Sequence, residues 1–139
     1  MLPETDIVVL YADADHPAGA QLEAGIRSLV NGASRKAYRT VAGLERRLCK
    51  PGSPRTDLVL LCPASLSTLR QLSRLRPLLV ATHRVVMVLP DRTPETIAAG
   101  HGFFPRYIGF ADGDLGDVFA VLARLLGRPA ESPRERKTV

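Results

Sequence analysis

The sequence lacks several features that define large classes of proteins. It has no tryptophan, and its two cysteines, Cys49 and Cys62, belong to no C-x-x-C motif or Cys/His cluster. Two cysteines cannot make a disulfide framework, and without a cluster we expect reduced thiols and no metal site. Gly-x-Gly-x-x-Gly and Gly-Lys-Ser/Thr are both absent, so we predict no phosphate-cradling loop and no cofactor.

Long apolar runs are missing as well. No stretch approaches the roughly 20 apolar residues that a membrane span needs, and the chain begins with acidic and polar residues before its first apolar run. A secretory signal would instead begin with a basic segment. The sequence therefore predicts a cytoplasmic protein that makes no use of a membrane.

Charge and aromatic content argue against nucleic-acid binding by this domain. The net charge is +5, but aromatic residues make up only 5% of the chain, which leaves no stacking platform for bases. The basic residues do not form one block. They are distributed over several predicted helices: Arg27, Arg46, Arg47, Arg70, Arg74, Arg76 and Arg124. This distribution is typical of solvated helix faces.

What the sequence does contain is a regular alternation of short apolar runs and amphipathic segments. The runs predict strands at 6–12, 34–40, 57–62, 84–89 and 106–110. Helices are predicted at 18–30, 41–48, 66–75, from Thr93-Pro94 to about 100–102, and at 115–126, while 78–81 is ambiguous.

Strict strand–helix alternation is typical of βαβ units. We therefore predict an α/β fold, a doubly wound five-stranded parallel sheet of order 2-1-3-4-5 in a flavodoxin-like three-layer sandwich. Residues 1–127 form this one domain. The polar, aperiodic segment 128–139 is predicted to be a disordered tail or the stub of a linker.

In this topology ligands bind where strands one and three end, and the residues there resemble the receiver domains of bacterial two-component response regulators. Ala14-Asp15-His16-Pro17 occupies the position of the short acidic segment that ends strand one in the family. Asp57-Leu58-Val59-Leu60-Leu61 matches the run that precedes the phosphorylated Asp, but Cys62 follows it here. The family's Ser or Thr after strand four and Lys after strand five fall on Leu89 and Phe110.

These departures predict a receiver fold without receiver chemistry. A phosphoacceptor must be a carboxylate, and the reaction needs Mg²⁺ held by hard oxygens. The degenerate site Ala14, Asp15, Cys62, Leu89 and Phe110 offers one acid, a thiol and two apolar groups. We therefore expect a pseudo-receiver that is not an enzyme and that acts by binding a protein partner or by forming a homodimer.

The resemblance implies where such a partner would bind, because receivers commonly associate through the fourth helix, fifth strand and fifth helix. That face corresponds to about 93–126 here. Its last helix carries an apolar stripe that looks wider than packing on the sheet requires. The predicted interaction face consists of Leu115, Val118, Phe119 and Leu122.

A second interpretation gives the crevice its own chemistry. Cys62 would be a nucleophile or ligand-binding group beside Asp13 and Asp15, with His16 as the cation that activates the thiol. The competing expectation is that Cys62 is a small apolar filler, that His16 is an exposed loop residue or a helix cap, and that Asp15 caps the first helix.

Overall fold

The computed structural model describes residues 7–30, 35–49, 56–80 and 84–127. Strands and helices alternate along the chain as the sequence predicts. The strands are β1 (Ile7–Ala12), β2 (Arg35–Tyr38), β3 (Thr56–Cys62), β4 (Arg84–Leu89) and β5 (Tyr107–Phe110). The helices are α1 (Gly19–Leu29), α2 (Val41–Cys49), α3 (Leu66–Leu72), α4 (Arg76–Val80), α5 (Pro94–His101) and α6 (Leu115–Leu125).

The five strands form one parallel sheet in the order β2-β1-β3-β4-β5, which confirms the predicted fold class. The strand sequences are rich in Val, Ile and Leu because a parallel sheet covered by helices buries both of its faces. In β4, the five residues from Val85 to Leu89 are each at most 2% exposed. The register pairs Ala12 with Cys62 and Leu89 with Phe110, so the strand ends meet at one edge.

Successive residues of each strand point to opposite faces and build two separate core layers. Val9, Tyr11, Leu61 and Met87 join the layer under α2, α3, α4 and α5. Val8, Leu10, Leu60 and Val88 join the layer under α1 and α6. This arrangement is the three-layer sandwich expected of the fold.

The third helical segment is longer and more broken than predicted. α3 gives way to one turn of 3₁₀-helix, Ser73–Leu75, and α4 then continues to Val80. Pro77 is the second residue of α4, where proline is tolerated because the first backbone N–H groups of a helix have no partner within it. The stretch left ambiguous, 78–81, thus belongs to a helix up to Val80, and 81 lies outside the described residues, as does the 128–139 tail.

The apolar stripe of α6 is used inside the domain, which corrects the prediction that it meets a partner. Leu115, Val118 and Leu122 are buried in the core layer against the sheet. Phe119 is half-buried and packs on α1. Its ring lies so close to Gly25 that a Cβ atom added there would be 2.2 Å from Cε1 of Phe119. The stripe is wide because it covers both the sheet and a neighbouring helix.

Among the residues that the structure describes, no helix has the length and apolar character needed to cross a bilayer.

Candidate functional site

The crevice lies at the carboxyl ends of β1 and β3, which are neighbours in the sheet. Because Ala12 pairs with Cys62, the residues that follow β1 reach the end of β3. The structure brings together Asp13, His16 and Cys62. Asp15 and Ala14 are exposed to solvent.

His16 and Cys62 form a buried pair. Sγ of Cys62 lies 3.1 Å from Nε2 of His16, and the residues are 0% and 7% exposed. The other ring nitrogen, Nδ1, accepts a hydrogen bond of 2.9 Å from the backbone N–H of Ala18. In the neutral ring Nδ1 is therefore unprotonated, so Nε2 carries the proton and donates it toward the sulfur.

Both members of this pair are held in their neutral forms. Burial raises the pKa of the Cys62 thiol to about 12, and the nearby charge of Asp13 acts in the same direction. Burial lowers the pKa of His16, and the charges of Asp13 and Asp15 only partly oppose that shift. A thiol with this pKa is protonated at neutral pH, and the thiolate is the reactive form of cysteine.

Asp13 fastens the end of β1 to the start of the β3–α3 connection. Its Oδ2 accepts a hydrogen bond of 2.7 Å from the backbone N–H of Ala64. Its Oδ1 accepts a hydrogen bond from the phenolic O–H of Tyr11, which is 1% exposed. Both carboxylate oxygens are therefore engaged within the domain.

Asp15 does not cap α1, so that prediction is wrong. The N-cap residue of α1 is Ala18, whose own side chain accepts no hydrogen bond, and the side chain that accepts from the Ala18 N–H is that of His16. His16 is also not an exposed loop residue, because its ring turns inward to Cys62 and binds the Ala18 N–H. The chain makes a tight turn after Asp13, whose carbonyl accepts from the His16 N–H at 3.0 Å, and this turn leaves Asp15 outside.

Leu89 and Phe110 are the last residues of β4 and β5 and pack in the core layer opposite to that of Cys62. Leu89 is fully buried against Gly100 of α5, where a Cβ would lie 2.9 Å from Cδ2 of Leu89. Phe110 is half-buried under the guanidinium of Arg92, which lies 4.1 Å from its ring centroid. Arg92 also forms an ion pair of 3.0 Å with Asp112. Neither position offers the hydroxyl or amine of a receiver.

The magnesium ion that receiver chemistry requires does not fit these residues. Mg²⁺ needs several hard oxygen ligands in octahedral geometry. Here Asp13 has both oxygens in use and Cys62 offers a protonated, soft sulfur. Among the residues that the structure describes, no group of three or more His, Cys, Asp or Glu side chains is arranged to hold a metal ion.

Sequence reasoning missed that Asp13 ties the end of β1 to the β3–α3 connection and that Tyr11 donates a hydrogen bond to the same carboxylate. Tyr11 reads as one more apolar strand residue, and Asp13 as half of an acidic pair. The one available signal was their spacing: residues i and i+2 lie on the same side of a strand, so a hydroxyl there can reach a carboxylate.

The His16 ring should make the domain sensitive to acid. Its pKa in the folded state is below the unfolded value of about 6.5, so the unfolded chain binds the proton more readily. Stability should therefore be fully present above about pH 6.5 and fall as the pH drops below it. Melting temperatures of the wild type and His16→Asn between pH 7 and 5 test this, and equal slopes for the two proteins would refute it.

Comparison with known proteins supports the fold and goes no further. No known protein family matches the sequence, and no curated protein matches it. The fold resembles the crystal structure of a protein from Burkholderia pseudomallei K96243 that is provisionally named as pilus assembly-related. The two share 18% identity and a TM-score of 0.56 over 94% of this chain and 97% of the other. At this identity, the likeness establishes a shared α/β architecture.

Proposed function

We propose that this chain is a receiver-like interaction module that cannot be phosphorylated and acts by binding a protein partner. One observation carries the proposal. The crevice in which a receiver takes up its phosphoryl group is closed from within by the contacts of Asp13 with Ala64 and Tyr11 and of His16 with Cys62.

Phosphoryl transfer to a receiver needs a free carboxylate, a metal ion and a cationic side chain that pairs with the resulting acyl phosphate. The last residue of β3 is Cys62, whose neutral thiol is fully buried. The last residue of β5 is Phe110, which lies under Arg92, and Arg92 is already paired with Asp112. Each chemical part is thus replaced by a group that packs or forms an internal bond.

A module that cannot be phosphorylated has one stable arrangement at its crevice. In a phosphorylated receiver, the modification shifts a two-state equilibrium. Here hydrogen bonds already join the end of β1 to the end of β3, and no free carboxylate at the crevice can take up a phosphoryl group that would break them. Any signal must therefore arise from the binding event, through a surface that the fold displays permanently.

The alternative, a small-ligand or thiol-based enzyme using Asp13, Asp15 and Cys62, has less support. Asp15 is exposed, and the chain turns it away from the other two residues. Cys62 is 0% exposed, so a substrate could not reach it without opening the core. Reactive cysteines are partly exposed and lie in positive surroundings, whereas the nearest charge here is the carboxylate of Asp13.

The Burkholderia protein gives one place to search for the partner. The fold likeness extends over nearly the full length of both chains, and the other protein's name refers to pilus assembly. We propose the proteins of such an assembly as the first set to test for binding.

The phosphorylation test addresses the proposal directly. Incubation of the full chain with acetyl phosphate and Mg²⁺ should leave its intact mass unchanged, and beryllofluoride with Mg²⁺ should not alter its melting temperature. A conventional receiver treated in parallel supplies the positive control. A stable acyl-phosphate adduct on this chain would overturn the proposal.

A further inference from the structure

Acidic side chains and arginines are concentrated at opposite ends of the strands, although Arg39 and Arg92 follow β2 and β4 and pair there with Glu23 and Asp112. Acidic side chains lie at the edge where the strands end and the helices begin. They follow β1, β4 and β5 or occupy the first turns of α5 and α6: Asp13, Asp15, Asp91, Glu95, Asp112, Asp114 and Asp117. We call this edge the acidic end.

The opposite edge, where strands begin and helices finish, is rich in arginine. Three of these arginines lie in the last turns of α1, α2 and α6, and two lie at the start of β2 and just before β5: Arg27, Arg46, Arg124, Arg35 and Arg106. Arg76 begins α4, and its guanidinium reaches Gly102 at the end of α5. We call this edge the basic end. Acids at helix starts and bases at helix finishes favour the helix dipoles, and they also give the molecule two oppositely charged poles.

Phe104 stands out at the basic end. It lies between α5 and β5, and it is 76% exposed although its neighbour Phe103 is 1% exposed. Its φ of 49° lies in the left-handed region, which a bulky side chain rarely adopts. Such strain persists where the surroundings impose it and is concentrated at functional sites.

The surroundings of Phe104 are basic. The Arg76 guanidinium lies against Gly102, where a Cβ would be 2.8 Å from one of its terminal nitrogens. Arg106 is exposed, and its backbone N–H is fixed to the carbonyl of Val85 at 2.7 Å. Phe104 is thus an exposed aromatic group on a turn that also carries Arg76 and Arg106 as a cationic rim, and aromatic and arginine side chains are enriched at protein interfaces.

We propose that Phe104 and its arginine rim dock on the acidic end of a second copy of this chain. The proposal rests on the proposed function and names its partner. The chain itself carries the complementary pole, because the carboxylates of Asp15, Glu95 and Asp117 at the acidic end are exposed to solvent. Since the two surfaces lie at opposite ends of the strands, the contact is head-to-tail and leaves a free end on each copy.

The first experiment measures self-association of the full chain. Sedimentation equilibrium at low salt should show a mass that rises with concentration beyond a dimer, and high salt should weaken it because exposed charges are screened. Phe104→Asn should weaken association at least about tenfold. Its melting temperature should not fall, since Asn accepts the left-handed backbone. A strictly monomeric wild type would overturn the proposal.

Complementation then tests the head-to-tail geometry. Phe104→Asn/Arg106→Glu removes the basic surface, and Asp15→Arg/Asp117→Arg removes the acidic one; each protein alone should be monomeric. Mixed, they should form a 1:1 dimer that grows no further. A variant that still associates alone, or a mixture that does not pair, would contradict this geometry.

Three further outcomes separate this proposal from its alternatives. Phe104-dependent sedimentation with phosphatidylserine vesicles, and no self-association, would assign the basic end to a membrane and overturn the proposal. A monomer that also resists acetyl phosphate would overturn head-to-tail docking and leave the proposed function standing. An acyl-phosphate adduct would instead overturn the proposed function.

Discussion

Asp13→Ala is expected to lower the free energy of unfolding by about 2 to 4 kcal/mol, whereas Asp15→Ala should change it by less than about 0.5 kcal/mol. Asp13 accepts two hydrogen bonds, from the Ala64 N–H and the Tyr11 O–H. Without the carboxylate, the buried Tyr11 hydroxyl loses its acceptor, which adds a desolvation cost. Asp15 is exposed, so its loss removes no such bond.

The two variants form a matched pair, since each replaces one Asp with Ala and the two positions are only two residues apart. Urea unfolding with and without millimolar Mg²⁺ measures both effects. The difference between the variants should be the same in the two conditions, because the residues do not fit the ion and a ligand stabilises only the state that binds it. A wild type stabilised by Mg²⁺, together with an Asp15→Ala protein that is not, would reveal a working metal site.

The fold could be predicted from the sequence because its signals are local. The strand runs are short, apolar and separated by helix starts such as Thr93-Pro94, where Thr93 does accept from the Thr96 N–H. The alternation of strands and helices along the chain then favours a parallel sheet covered by helices. Each of these inferences uses residues within about ten positions of one another.

The candidate site could be predicted only in outline, because its contacts join distant parts of the chain. His16 and Cys62 are 46 residues apart, and they meet only because β1 and β3 pair in one particular register. The stripe of α6 shows which side of the helix is apolar but not what it covers. Three-dimensional packing also decides that Phe119 lies on Gly25 of α1 and that Phe104 adopts a positive φ.

Cys62→Asp is expected to cost about 3 kcal/mol of unfolding free energy at pH 7 and not to restore phosphorylation. The new carboxyl would occupy a site with 0% exposure, close to the carboxylate of Asp13. Burial and a neighbouring negative charge both disfavour ionisation. Leu89 and Phe110 would still supply no hydroxyl and no amine, so acetyl phosphate should leave the mass of this variant unchanged.

The penalty should depend on pH with a definite sign. Because the folded state would hold the pKa of this carboxyl above its unfolded value of about 3.9, the folded variant binds the proton more tightly than the unfolded one. The contribution of this carboxyl to stability is then most favourable below that unfolded value and is lost as the pH rises through the folded pKa. Cys62→Asp should therefore be closest to the wild type in acid and furthest from it at pH 8.

Cys62→Asn is the control, because it adds nearly the same volume and polarity without a group that ionises. The difference in unfolding free energy between the Asp and Asn variants isolates the charge, and it should grow from pH 4 to pH 8. The shared pH dependence of His16 cancels in that difference. A constant difference over this range would show that the new carboxylate reaches water or pairs with a protonated His16, and that the crevice is more open than the buried Cys62–His16 contact indicates.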